Sequence, residues 1–222
     1  MKILKKISQT DSIDSYVKRI NSVADLVDYD IIETQETLAN QSPERAKNFK
    51  RTVMLTGVND SSKEDKFVSG AYKLVEGEHL TDKDHNQILM HEDLAKKNGL
   101  NVGDKVKLKS NLYDADFLTK KRADETVEVT IKGLFSGQNK AAVTYAQELY
   151  WNNPQSLILD TVAKLYGNTV ETATYEDATF FAKGDQNIDS LIAKIQKLDI
   201  NWTLYDLVKS SWNYPALQES IL

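Results

Sequence analysis

The residues best suited to chemistry are His79, His85 and His91, three histidines within thirteen positions and interleaved with Glu76, Glu78, Asp82, Asp84, Glu92 and Asp93. Imidazole and carboxylate together are what a transition-metal site needs. The spacing argues against one. His91-Glu92 is not followed by a second histidine one helical turn on, so the paired-histidine helix of a zinc protease is missing, and an acidic surface turn is the simpler reading. The chain has no cysteine, which removes thiolate ligands, thiol nucleophiles and disulfides together. Serine is plentiful, but no Gly-x-Ser-x-Gly elbow presents one as a nucleophile, and Ser136 has only Gly137 behind it. Phosphate cradles fare no better. There is no Gly-x-Gly, and Gly99 and Gly103 lack the lysine of a phosphate-binding loop. The carboxylate pairs Asp82 with Asp84 and Asp114 with Asp116 have no apolar frame to shift a pKa, and read as solvated loop.

What remains is binding. The aromatics Trp151, Trp202, Tyr205, Trp212 and Tyr214 are candidate partner contacts, since Trp and Tyr dominate binding hot spots; for Trp202 and Tyr205 the rim of a core is the stronger reading. The sequence therefore predicts no catalysis, no cofactor and no metal.

With 222 residues, 41% of them hydrophobic, the chain is long enough to bury a substantial core as one large domain or two small ones. A formal charge of -5 without a basic block excludes a phosphate-tracking surface, so nucleic acid is not an expected partner. No apolar run approaches the roughly 20 residues of a membrane-spanning helix, and 1–9 is too short and too charged for a signal peptide. Both points also suit a segment lying between two spans.

The elements follow from periodicity. Ile13, Val17, Ile20, Val23 and Val27 recur at threes and fours, which predicts a helix over 12–27 capped by Asp11 or Ser12. Residues 34–38 read as extended, and 41–47, with Pro43 early, as a turn or helix start. Strands are predicted over 49–58, 72–80 and 87–90, then a helix over 91–98 stopped by Asn98 and Gly99. Val102, Val106 and Leu108 alternate with Lys105, Lys107 and Lys109, and Val127, Val129 and Ile131 with polar residues, giving two half-exposed strands, the first over 102–108. Residues 111–125 show no period. The polar stretch at Asn152, Asn153 and Pro154 makes a boundary. Beyond it, 157–159 reads as a strand, 161–166 as a short helix, 178–182 as a strand, 188–198 as an amphipathic helix and 201–208 as a closing strand.

One segment carries a family resemblance. Leu74-Val-Glu-Gly-Glu-His-Leu80, then Gln87-Ile-Leu-Met-His-Glu-Asp-Leu-Ala95 and Asn98-Gly-Leu-Asn-Val-Gly-Asp-Lys-Val-Lys-Leu108, resembles the core extracytoplasmic domain of MacB/FtsX-type ABC transporter permeases, and the strand 127–134 looks like the one that follows it there. The motif is structural: Gly77 and Gly103 stand where the chain turns tightly, while Leu94, Ala95 and Leu100 pack a short helix on two strands. The resemblance implies an α+β fold, with a mixed porter-like α/β part built from both chain ends (1–66 and 154–222) and a smaller, mostly β part inserted between them (67–153). It implies a place on the outer face of a bacterial cytoplasmic membrane. The expected partners are a second permease subunit, a cytoplasmic ATPase, and an adaptor protein or peptide on the outer face. The role would be to bind and relay ATP-driven motion, in peptide or antimicrobial export or resistance. The alternative is a free-standing soluble binding or regulatory protein of the same fold.

Overall fold

The computed structural model describes residues 2–32, 39, 42–110, 126–137, 148–151, 177–184, 187–204 and 207. In chain order these form α1 (Lys2–Ser8), β1 (Ile13–Leu26), α2 (Pro43–Phe49), β2 (Thr52–Val58), a 3-10 turn (Ser61–Lys63), α3 (Asp65–Val68), β3 (Lys73–Gly77) and β4 (Gln87–His91). There follow α4 (Glu92–Asn98), β5 (Lys105–Ser110), β6 (Thr126–Ser136), β7 (Glu148–Trp151), β8 (Asp177–Ala182), α5 (Ile188–Ile195) and a second 3-10 turn (Trp202–Leu204).

The architecture of the described residues is α+β, with eight strands in one mixed sheet. Its pairing closes on itself. β1 lies beside β2, β2 beside β7, β7 beside β4, β4 beside β6, β6 beside β5, and β5 returns to β1 at Ala24–Leu26. β2–β7 and β4–β6 are parallel, the other four pairings antiparallel. Two strands stand outside this six-stranded ring. Gly133 of β6 is paired to Leu89 on one edge and Gly77 on the other, so β3 continues the β6 edge that β5 occupies further up. In the same way Arg19 of β1 is paired to Val58 and to Asp177, so β8 and β5 share one edge of β1 while β2 holds the other.

Alternation fills the ring, as small barrels require. Val53 and Leu55, Ile88 and Met90, Val106 and Leu108, Val129 and Ile131, with Ala24 and Leu26, form one buried cluster, joined by Leu94, Ala95 and Leu100 from α4 and the turn after it. A second cluster gathers Val17, Val58, Tyr72, Leu80, Leu89 and Phe135 on the other face. A third is separate: Ile7 of α1, Ile13 of β1, and Leu191 and Ile195 of α5, with Phe180, Leu198, Ile200 and Trp202 packed against them. Each fully buried Leu or Ile stabilises the fold by about 1.5–3 kcal/mol relative to exposure, so the ring holds most of the stability and the third cluster is its lighter neighbour.

The strands predicted within 49–58, 72–80, 87–90, 102–108, 127–131 and 178–182 are present, as are the helices near 43, 91 and 188. Two expectations fail. The segment 12–27 is strand β1, not a helix. Its apolar residues serve three different clusters, Ile13 the third, Val17 the second, Ala24 and Leu26 the first, so the buried face changes parity along the strand and imitates a helical spacing. A closing strand at 201–208 is also absent from the described residues, where Trp202–Leu204 is a 3-10 turn. The expected elements at 34–38, 111–125, 157–159 and 161–166 lie outside the described residues. As for the division into 1–66 with 154–222 and 67–153, the sheet crosses it at β1–β5 and at β2–β7.

Candidate functional site

The start of β1 and the loops at the far end of β2 and β3 enclose an open cleft of about 340 Å³. Ser8, Ile13, Asp14, Ser15 and Tyr16 form one wall, and Asn59, Asp60, Lys63, Thr81 and Asp82 the other. The walls are tied at their base. Asn59 extends the β1–β2 ladder with its side chain: Oδ1 accepts the Lys18 N–H at 2.8 Å and Nδ2 donates to the Tyr16 carbonyl at 3.1 Å. Asp60 shapes the turn above, its Oδ1 accepting from Ser62 N and Ser62 Oγ at 3.1 and 2.6 Å, while Lys63 stands 3.9 Å from Oδ2.

Behind this wall lies a packed polar layer. Ser61 is fully buried; its N–H donates to the Leu80 carbonyl at 3.1 Å, and its Oγ accepts the Leu80 N–H at 2.8 Å and stands 2.9 Å from His79 Nδ1. The His79 ring meets Phe67 edge-on, centroids 4.9 Å apart. Burial pushes the His79 pKa down, opposed by the Asp60 carboxylate and assisted by the Lys132 ammonium. Lys132 itself is bound by both oxygens of Asp84, at 2.9 and 2.8 Å, and Asp84 also accepts from Thr81 N and Thr81 Oγ1. Burial raises the Asp84 carboxyl, but the bonds from Lys132 and Thr81 together outweigh it and hold it below its ordinary value. Glu64, the cap of α3, goes the other way: burial lifts it against the Lys66 N–H it accepts and the Lys66 charge. Arg19 links three elements, with Nε 2.6 Å from Asp177, Nη2 donating to Thr179 at 2.7 Å and Nη1 3.4 Å from Asp65.

The three histidines are not brought together. His79 is part-buried against Ser61, His85 is exposed in the turn before β4, and His91 is only 2% exposed. His91 caps α4: its Nδ1 accepts the Asp93 N–H at 3.1 Å and its Nε2 pairs with the Gly137 carbonyl at 3.0 Å. An acidic surface turn thus describes His85 but not His79 or His91. Among the described residues no three His, Asp or Glu side chains are placed to hold a metal. Of the aromatic candidates, Trp151 ends β7, paired through its backbone to Ile88 and Gly57. Trp202 is half-buried against the third cluster, and its Nε1 has no hydrogen-bond partner among the described residues. Tyr205, Trp212 and Tyr214 lie outside the described residues. The Ser61–His79 contact was not visible in the sequence, because seventeen residues, α3 and β3 among them, separate the pair.

No family model and no curated protein matches this sequence. Solved structures do. The periplasmic region of MacB from Actinobacillus actinomycetemcomitans superposes with a TM-score of 0.52 at 18% identity, over 99% of this chain and 81% of that one. The chain has the fold of the MacB periplasmic region. The extracellular domain of the noncanonic ABC-type transporter YknZ from Gram-positive bacteria also matches, with a TM-score of 0.47 at 12% identity over 86% of this chain and 76% of the other. In the MacB-like fold seen here, the segment that carried the sequence resemblance, 74–108, becomes β3, β4, α4 and β5. Among the described residues no helix is long and apolar enough to cross a membrane.

Proposed function

We propose that the chain is the extracytoplasmic domain of an ABC-type permease, held on the outer face of a bacterial cytoplasmic membrane, where it binds a partner or substrate and relays the movement driven by a cytoplasmic ATPase. Peptide or antimicrobial export or resistance is the service this reading assigns it, with no catalysis of its own. The likeness of fold supports the reading, and one observation in the chain carries it. The first and last described segments meet: Lys6 Nζ donates to the Asp199 carbonyl at 2.6 Å and lies 3.3 Å from the Asp199 carboxylate, while Ile3 and Ile7 pack with Leu198, Ile200, Trp202 and Leu207. A domain slung between two membrane spans needs its two ends side by side, and a movement of either end would enter the ring through β1. Within this reading residues 67–153 are the inserted part. Trp151, Trp202, Tyr205, Trp212 and Tyr214 are its contact aromatics, and a second permease subunit, an adaptor or a peptide its partners.

The test uses the absence of cysteine from this chain, with any cysteine elsewhere in the parent protein first replaced by serine. Val75, 49% exposed on β3, is replaced by Cys in the parent protein, and intact cells are treated with a maleimide that does not cross the cytoplasmic membrane. Labelling in intact cells is expected. Labelling only after the membrane is broken would overturn the reading.

A further inference from the structure

We propose that the Ser61–His79 hydrogen bond is a proton-released latch: with a neutral ring it holds the 79–82 loop on the 60–63 turn and so fixes one wall of the cleft, and protonation of the ring releases it. The inference stands on the geometry of this chain and not on the function proposed above.

The proton inventory carries the argument. The Ser61 Oγ takes the Leu80 N–H at 2.8 Å on one lone pair, and its single proton has His79 Nδ1, at 2.9 Å, as its one acceptor partner among the described residues, so the satisfied arrangement is the one in which the hydroxyl donates to Nδ1. This requires an unprotonated Nδ1. An imidazolium carries hydrogen on both nitrogens, so Nδ1–H then faces Oγ and the hydroxyl proton must turn away. Among the described residues no second acceptor stands within hydrogen-bond distance of it. Ser61 is fully buried, and a buried donor without a partner carries its full desolvation penalty. The orphaned hydroxyl reaches a new acceptor only by turning out of the bracket, which breaks the Leu80 N–H bond to Oγ and leaves the Ser61 N–H bond to the Leu80 carbonyl; Asp60, Lys63, Thr81 and Asp82 line the cleft on either side of that bracket.

The charges around the ring set where it acts. Asp60, from the turn after β2, favours the imidazolium, but its carboxylate is already engaged by Ser62 and faces Lys63. Lys132, from β6, opposes it and is held by Asp84, with Glu78 at 3.7 Å. From α3 the ring meets apolar Phe67, whose neighbours Asp65 and Glu64 are turned to Arg19 and to the Lys66 N–H. Burial first, with Lys132, holds the ring's affinity for a proton below that of an ordinary histidine. The folded pKa is thus the depressed one. The latch is fully closed above the ordinary histidine value, about 6.5, and opens as pH falls through the folded value.

The experiment is a nitrogen-15 NMR titration of the whole 222-residue chain from pH 8 to 4.5, with amide exchange read at Leu80. His79 is expected to show the Nε2–H tautomer at pH 7.5 and a midpoint below the ordinary histidine value, about 6.5. The protection of the Leu80 amide, corrected for intrinsic exchange, should drop at least tenfold through that midpoint. In His79→Gln, which cannot take a proton, the protection should stay level over the same range. A His79 midpoint at or above the ordinary histidine value, about 6.5, overturns the latch. So does Leu80 protection that is unchanged through the titration, or that falls equally in the Gln variant.

Discussion

Gly77 and Gly103 both have positive φ, +76° and +94°, and replacing each by alanine separates backbone strain from crowding. The left-handed region costs an L-residue about 1–2 kcal/mol, of which the stiffer unfolded chain returns about 0.4–1 kcal/mol. Gly103 has open space where a Cβ would sit, so Gly103→Ala should cost about 1 kcal/mol. Gly77 faces Gly133 across the β3–β6 pair. A Cβ on Gly77 would overlap the Lys132 carbonyl oxygen and come within 2.7 Å of Gly133 Cα. Both obstacles are backbone, and β6 cannot retreat because β4 holds its other edge. Relief means opening the end of the β3 ladder, about two hydrogen bonds at about 1 kcal/mol each, so Gly77→Ala should cost about 3 kcal/mol. The difference of about 2 kcal/mol corresponds to roughly 1 M in urea midpoint for a slope of about 2 kcal/mol/M, readily measured by tryptophan fluorescence. Equal losses for the two variants would refute the crowding argument, since only the shared strain would then be at work.

Two further outcomes follow from the site and from the third cluster. Asp84→Asn takes away the close carboxylate of the Lys132 ammonium, 16% exposed, and leaves it Glu78 at 3.7 Å; between the values for surface and buried pairs, this should cost about 2 kcal/mol at pH 7. Because the Asp84 carboxyl is held low in the folded state, its contribution is complete above the ordinary value, about 3.9, and is lost as pH falls through the folded one. The stability gap between wild type and variant, followed by urea melts at several pH values, should therefore narrow below pH 4, and a gap that widens there contradicts the assignment. Asn187→Ala removes the side-chain oxygen that accepts the Ser190 N–H at 3.0 Å and should cost about 1 kcal/mol. Hydrogen exchange should quicken in α5 and α1 but not at β4 or β6; quickening throughout would mean the third cluster is not a separate unit.

How far the sequence could be read depended on how local each signal was. β5 and β6 show period two because one face of each is wet, and α4 announces its stop through Gly99, whose φ of +65° closes the helix. β1 misled because Ile13 and Val17 are buried on odd positions and Ala24 and Leu26 on even ones, so no single alternation spans it; the β-branched run Ile13, Val17, Ile20, Val23 was the better clue. Closure of the ring could not be read at all. It depends on register between strands as distant as β1 and β5, or β2 and β7, which no local pattern encodes. The same holds for the site. The histidine cluster was plain as spacing, but Ser61, which gives His79 its role, lies on another turn.

The direction of β1 has a mechanical consequence. It runs from α1 through the satellite cluster and into the ring, bonded on one edge to β2 and on the other to β8 and then β5. A tug along its axis from the α1 end loads those ladder bonds side by side, as in shear, and not one after another like a zipper. Tension arriving there would therefore displace the ring as a body before it frayed the strand, while the α1 and α5 helices, held by fewer side chains, would yield first.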